Sequence, residues 1–154
     1  MFPYIGFNFK PTDMAAALVL NQIDKLNNFI SIRTNAAKKL IIGLNKYKDF
    51  LILPKNIKNI KNSWFTFPIT VIPNKKFSKK DLVDYLSKMK IANRPVIAGN
   101  IADQPFLKKF KFKKTELVNS NLIMNSGFFI GLNHKLDNKN IKYILSVFDS
   151  FFKK

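Results

Sequence analysis

Few side chains in this sequence can perform bond-making chemistry, and those few are scattered. His134 is the only histidine and Glu116 the only glutamate, and there is no cysteine. A Ser-His-Asp triad, a histidine-bearing metal cluster and a thiolate nucleophile are therefore not assembled from these residues. Asp81 and Asp84 stand three apart, a helical spacing that serves a cap and a solvated face more often than an acid/base pair. No glycine-rich loop of the phosphate-cradling kind occurs. What remains is a set of grips. Arg94 is one of two arginines and is held in extended backbone by Pro95; its guanidinium is a planar fork of hydrogen-bond donors. Asn100 follows Gly99 in an expected turn, and His134 ends an apolar run. An imidazole there can contact a ligand or carry a proton near neutral pH. Taken alone, this is half of a site.

The elements that must position these grips follow from periodicity. Ala16, Val19, Ile23, Leu26, Ile30, Ala37, Leu40 and Leu44 recur at spacings of three and four, or their sum, which predicts one long helix from Thr12 to about Lys46. Thr12 is its expected N-cap, with Asp13 favoured at the positive end. Some thirty residues would span roughly 45 Å, a strut between two lobes. "DFLILP" predicts a short strand and "SWFTFPITVIP" the strongest one, with Pro68 favouring an edge or a bulge. Ser78 caps a helix with Asp81 three residues on, its buried stripe being Leu82, Tyr85, Leu86 and Met89. "IANRPVIAGN" predicts a strand that breaks at Gly99, and a short helix is expected near Asn119 to Asn125. "GFFIGLNH" is a further strand, and Ile141, Ile144, Leu145, Phe148 and Phe152 stripe a final helix. Trp64 and the Phe stripes are expected in the core or in dimer packing, and Arg33 in an ion pair. The class is α+β, a sheet layered on helices.

With 47% apolar residues, sixteen of them Phe, the chain has the makings of a folded core. It contains no apolar run long enough to cross a membrane and no start resembling a signal peptide. The absence of cysteine fits a cytoplasmic address. A net charge of +18 invites a polyanion as partner. Yet the cations are almost all lysine, spread from Lys10 to Lys154 in short pairs and not in one block. A solvated lysine surface is the expectation, with a non-enzymatic, basic nucleic-acid-binding module as the rival.

Four strips in order, "GFNFKPTDMAAAL", "SWFTFPITV", "RPVIAGNIADQP" and "GFFIGLNH", resemble the C-terminal part of the pyridoxal-phosphate-dependent sugar aminotransferases of the DegT/DnrJ/StrS type. The branch they are most similar to is the nucleotide-linked 4-keto-6-deoxysugar 3-dehydratases of lipopolysaccharide O-antigen synthesis. The resemblance implies the small C-terminal domain of an aspartate-aminotransferase-like, fold type I enzyme, with a short, mainly antiparallel sheet. Residues 1–11 would end the crossing segment and 12–154 form the small domain with its leading helix over 12–46. The large, cofactor-anchoring domain would lie outside this sequence. With it would go the aspartate at the pyridine nitrogen and the lysine (aminotransferases) or histidine (dehydratases) at the reactive aldehyde. The chain alone is then expected to be inert.

The same resemblance assigns roles residue by residue. Asn8 resembles the asparagine that reaches across a homodimer interface to the pyridoxal 5'-phosphate of the partner, and Lys10 the cation beside that phosphate. Arg94, Asn100 and His134 would contact the nucleotide-linked 4-keto-6-deoxysugar. Each has a structural alternative: a turn asparagine, a solvated lysine, a strand-to-helix salt bridge, a turn residue, and a histidine satisfying local backbone. The branch, 3-dehydratase or nucleotide-sugar aminotransferase, is left open. So is an iron–sulfur cluster on upstream cysteines, which some dehydratases of the branch carry.

Overall fold

The computed structural model describes residues 11–55, 57–97, 99–113 and 115–153. Asn8 and Lys10 lie outside the described residues.

The single leading helix expected over 12–46 is two. α1 (Asp13–Ile23) and α2 (Leu26–Leu44) are separated at Asp24 and Lys25, and a 3-10 turn follows over Asn45–Tyr47. Backbone at the joint stays right-handed, with φ −62° at Asp24 and −89° at Lys25, so the break is a tightened turn. Asn21, Asp24, Asn27 and Asn28 crowd this stretch, and their short polar side chains compete for backbone hydrogen bonds. Thr12 caps α1 as expected, accepting from Ala15 N–H at 3.2 Å. The apolar stripe is only half used. Ala36, Ala37, Leu40 and Leu44 are buried, whereas no residue of α1 is.

β1 (Leu51–Ile52), β2 (Thr66–Val71), β3 (Asn93–Pro95) and β4 (Gly127–Gly131) form one antiparallel sheet in the order β1-β2-β4-β3. β1 pairs only with Thr70 and Val71. Pro68, which has no N–H to give, thus sits where that flank of β2 has no strand neighbour. Alternation assigns the faces. Phe67, Ile69 and Val71 of β2, with Phe128 and Ile130 of β4, point into the core. They meet α2, α3 (Lys79–Lys88) and α5 (Asn138–Phe152), whose Leu82, Leu86, Ile144, Val147 and Phe148 belong to the same buried cluster. The expected capping box of α3 is complete: Ser78 N–H donates to Asp81 Oδ2 at 2.8 Å and Asp81 N–H to Ser78 Oγ at 3.2 Å. α4 (Val118–Ser126) runs straight into β4.

Tyr47 and Lys46 fasten the far end of α2 to α5, both reaching Asp149 Oδ1 at 2.7 Å. The Lys46 hydrogen bond holds the Asp149 carboxyl below its usual range, with Tyr47 adding to it. Burial, and then the bond to Asp149, pushes the Tyr47 phenol up.

Candidate functional site

The face of the sheet turned away from the core is where free chemistry is found. Arg94 opposes Phe129, and Phe129 opposes Pro68, so the three form one row across β3, β4 and β2. Directly opposed residues share a face, and Phe129 lies between the core residues Phe128 and Ile130. The row therefore lies on the outer face, with Arg94 and Pro68 exposed and Phe129 half-buried. Gly131, also on this face, has nothing within 4 Å of the point where a Cβ would stand. Local structure holds Arg94 there. Asn93 Nδ2 donates to Ser87 Oγ at 2.9 Å and to the Val83 and Ile91 carbonyls at 3.3 and 3.2 Å, tying β3 to α3. Neither ion pair among the described residues, Lys46–Asp149 and Lys80–Asp84, uses Arg94. The strand-to-helix salt bridge, the structural alternative for Arg94, is not formed among the described residues. Arg33, expected in an ion pair, forms none among the described residues, and its Nε is buried without a hydrogen bond.

Asn100 has a different situation. It is 2% exposed, the one buried polar residue among those described. Its Nδ2 donates to Asp103 Oδ2 at 2.8 Å and to Asn121 Oδ1 at 2.6 Å, while its Oδ1 accepts from Ala102 N–H at 3.1 Å. Both amide hydrogens are committed, so the side chain caps the 3-10 turn Ile101–Asp103 and moors it to α4. Gly99 before it adopts φ +66°, and a Cβ there would stand 2.5 Å from Met124 Cγ. Only glycine suits that position.

His134 lies three residues past the end of β4, exposed, in a turn. Its ring stacks on Phe29 of α2, centroids 4.3 Å apart and planes at 28°. It is five residues farther along the chain than Phe129, the partner of Arg94. No described hydrogen bond or ring contact joins any two of Arg94, Asn100 and His134. Sequence reasoning missed Phe29, Asn121 and Asp103, the residues that hold His134 and Asn100. Only Asp103 carries a local signal, as the third residue after an Asn at a turn. Among the described residues there is no group of acidic, histidine or cysteine side chains able to hold a metal ion, and no helix long and apolar enough to cross a membrane.

Comparison with known proteins identifies the family and the fold. The model of the DegT/DnrJ/EryC1/StrS aminotransferase family matches residues 2–149. The chain belongs to that family. The lipopolysaccharide biosynthesis protein RfbH of Salmonella typhimurium is 35% identical over 152 residues, which are 98% of this chain and 35% of RfbH. The GDP-4-keto-6-deoxy-D-mannose 3-dehydratase of Escherichia coli O55:H7 is 31% identical over 86% of this chain and 34% of its own. A solved E. coli GDP-4-keto-6-deoxy-D-mannose 3-dehydratase with bound hydrated pyridoxal phosphate superposes with a TM-score of 0.83 at 26% identity. The match covers 96% of this chain and 38% of that one. An aminotransferase of the DegT/DnrJ/EryC1/StrS family from Brucella abortus shares the fold, with a TM-score of 0.82 at 18% identity. The fold is thus that of pyridoxal-phosphate-dependent aminotransferase-like enzymes, and the chain spans about a third of the curated relatives it matches.

Proposed function

We propose that this chain supplies the small-domain side of a site acting on a nucleotide-linked 4-keto-6-deoxysugar, in the 3-dehydration branch that serves deoxysugar and O-antigen lipopolysaccharide synthesis. The observation that carries the reading is Arg94: a guanidinium on the outer sheet face that forms no ion pair among the described residues, in a chain whose relatives include named 3-dehydratases of such sugars. In this reading Arg94 grips the diphosphate or the sugar through paired N–H donors, which lysine does not match. His134 flanks the substrate, its ring orientation fixed by Phe29. Asn100 acts at one remove, by fixing the turn after β3; that refines the direct contact expected of it.

Donor chemistry bears on the cofactor. Asn8 and Lys10 bring an amide and an ammonium, a set that suits a phosphate dianion. His134 is exposed and forms no ion pair among the described residues, so it is a poor candidate for the residue at a reactive aldehyde. The residues present fit the phosphate side of a pyridoxal-phosphate site, gripped across a homodimer interface, while its reactive end belongs to a large domain. When bound, that cofactor supplies an electron sink for expelling the C3 hydroxyl. This chain's share is to orient the sugar and to anchor charge. An iron–sulfur cluster would need thiolates from other polypeptide, since this chain has none.

The test is a chimera. The matching C-terminal third of the E. coli O55:H7 dehydratase is replaced by this chain, and 3-dehydration of GDP-4-keto-6-deoxy-D-mannose is followed. A folded dimer with activity that falls at least about tenfold in kcat/KM on Arg94→Gln is expected, equivalent to roughly 1.4 kcal/mol of transition-state binding. A folded, cofactor-loaded chimera indifferent to Arg94→Gln would overturn the assignment. The 154-residue chain alone should acquire no pyridoxal-phosphate absorbance band; such a band would refute the division of labour.

A further inference from the structure

A second ligand site is suggested by a segment that the proposed activity does not use. Between β1 and β2 the sequence repeats Lys-Asn-Ile, running from Lys55 through Ile57, Lys58, Ile60 and Lys61 to Asn62. A loop this polar should turn its isoleucines inward, yet Ile57 and Ile60 are 65% and 63% exposed. They line, together with Ile30, Thr34 and Lys38 of α2, an open-sided cavity of about 390 Å³, a volume within the usual range for small-molecule sites.

The loop's shape is held at some cost. Asn59 and Trp64 adopt φ +67° and +50°, the left-handed region. Asparagine tolerates it, but a bulky tryptophan there is a true outlier, of a kind that clusters at ligand sites. Asn62 Oδ1 accepts from Trp64 N–H at 2.8 Å and fixes the turn. The result is an indole tucked into the cavity wall beside Ile30 of α2.

Charge and polarity then define the occupant. Lys38, Lys55 and Lys61 also line the cavity, and no carboxylate does. None of the three is engaged in either ion pair among the described residues. Three lysines that form no ion pair among the described residues, lining one cavity with Ile30, Ile57, Ile60 and Trp64, select an anion that carries an apolar or planar body. We infer that this cavity, between α2 and the Lys55–Asn62 loop, binds an organic phosphate. The inference does not rest on the sugar reading, since Arg94, Asn100 and His134 are absent from the lining.

Trp64 is the only tryptophan of the chain, so its emission reports on this wall directly. The whole chain is titrated at constant ionic strength with ADP, with inorganic pyrophosphate and with adenosine. Expected is a saturable change with ADP, at least about fivefold weaker binding of pyrophosphate, and none of adenosine, because both the charge and the body are needed. The pair Lys55→Gln and Lys61→Gln should weaken ADP binding at least about tenfold, two phosphate contacts being lost. Lys58→Gln, in the same loop but outside the lining, should leave it unchanged. Absence of saturation would overturn the inference. So would equal binding of pyrophosphate and ADP, or equal losses from Lys58→Gln and the lining pair, all variants being checked for unchanged far-ultraviolet circular dichroism. Loss on Arg94→Gln alone would assign the nucleotide to the sheet face instead.

Discussion

Replacing Asn100 by aspartate exchanges one buried nitrogen for oxygen with almost no change of shape, and it separates a turn-holding role from ligand contact. The wild-type amide donates to a carboxylate, Asp103 Oδ2, and to a neutral acceptor, Asn121 Oδ1. A hydrogen bond to a charged group contributes about 1.5–3 kcal/mol and a neutral one about 1 kcal/mol, so losing both costs roughly 3 kcal/mol. The new carboxylate also faces that of Asp103, a like charge in a buried place, which raises its folded-state pKa. A carboxyl whose folded pKa exceeds its unfolded value of about 3.9 carries its full penalty above the folded pKa. That penalty disappears as pH falls below the unfolded one, and the protonated form regains one donor. Urea unfolding followed by circular dichroism should therefore show Asn100→Asp about 3 kcal/mol less stable than wild type near neutral pH. The difference should shrink toward about pH 4. A variant within about 0.5 kcal/mol of wild type at neutral pH, or a pH-independent deficit, would refute the account and return Asn100 to the ligand-contact reading.

Other outcomes follow from the packing. Phe148 is fully buried between α5 and the sheet, so Phe148→Ala should cost about 3–5 kcal/mol in the same assay. Removing the hydroxyl of the α3 cap by Ser78→Ala should cost about 1 kcal/mol, with loss of helicity confined to α3 on amide exchange. Met14 and Leu18 are 80% and 70% exposed on one face of α1. Met14→Lys with Leu18→Lys should therefore reduce hydrophobic-dye binding and self-association, while stability moves by no more than about 0.5 kcal/mol. Asp149 titrates below its unfolded pKa because Lys46 and Tyr47 hydrogen-bond to it. Its contribution is present above that unfolded value, about 3.9, and fades as pH falls through the lower folded one. Asp149→Asn should lower the midpoint at neutral pH and flatten that acid limb.

The sequence carried the elements and the family. Helix and strand periods located the core half of α2, the capping box at Ser78, and β4, because those signals lie within a few residues of chain. The four strips carried the resemblance, since side chains facing a shared scaffold recur in order. Tertiary structure decided the rest. Whether the stripe of α1 is buried depends on what stands opposite it, and among the described residues nothing does; the stripe over Ala36 to Leu44 meets α5 and the sheet. Whether Asn100 is free depends on Asn121, twenty-one residues away in sequence. Whether Arg94 is paired depends on the register that puts Phe129 and Pro68, and no carboxylate, beside it. Local pattern fixes which face a residue occupies; only the folded chain fixes what meets that face.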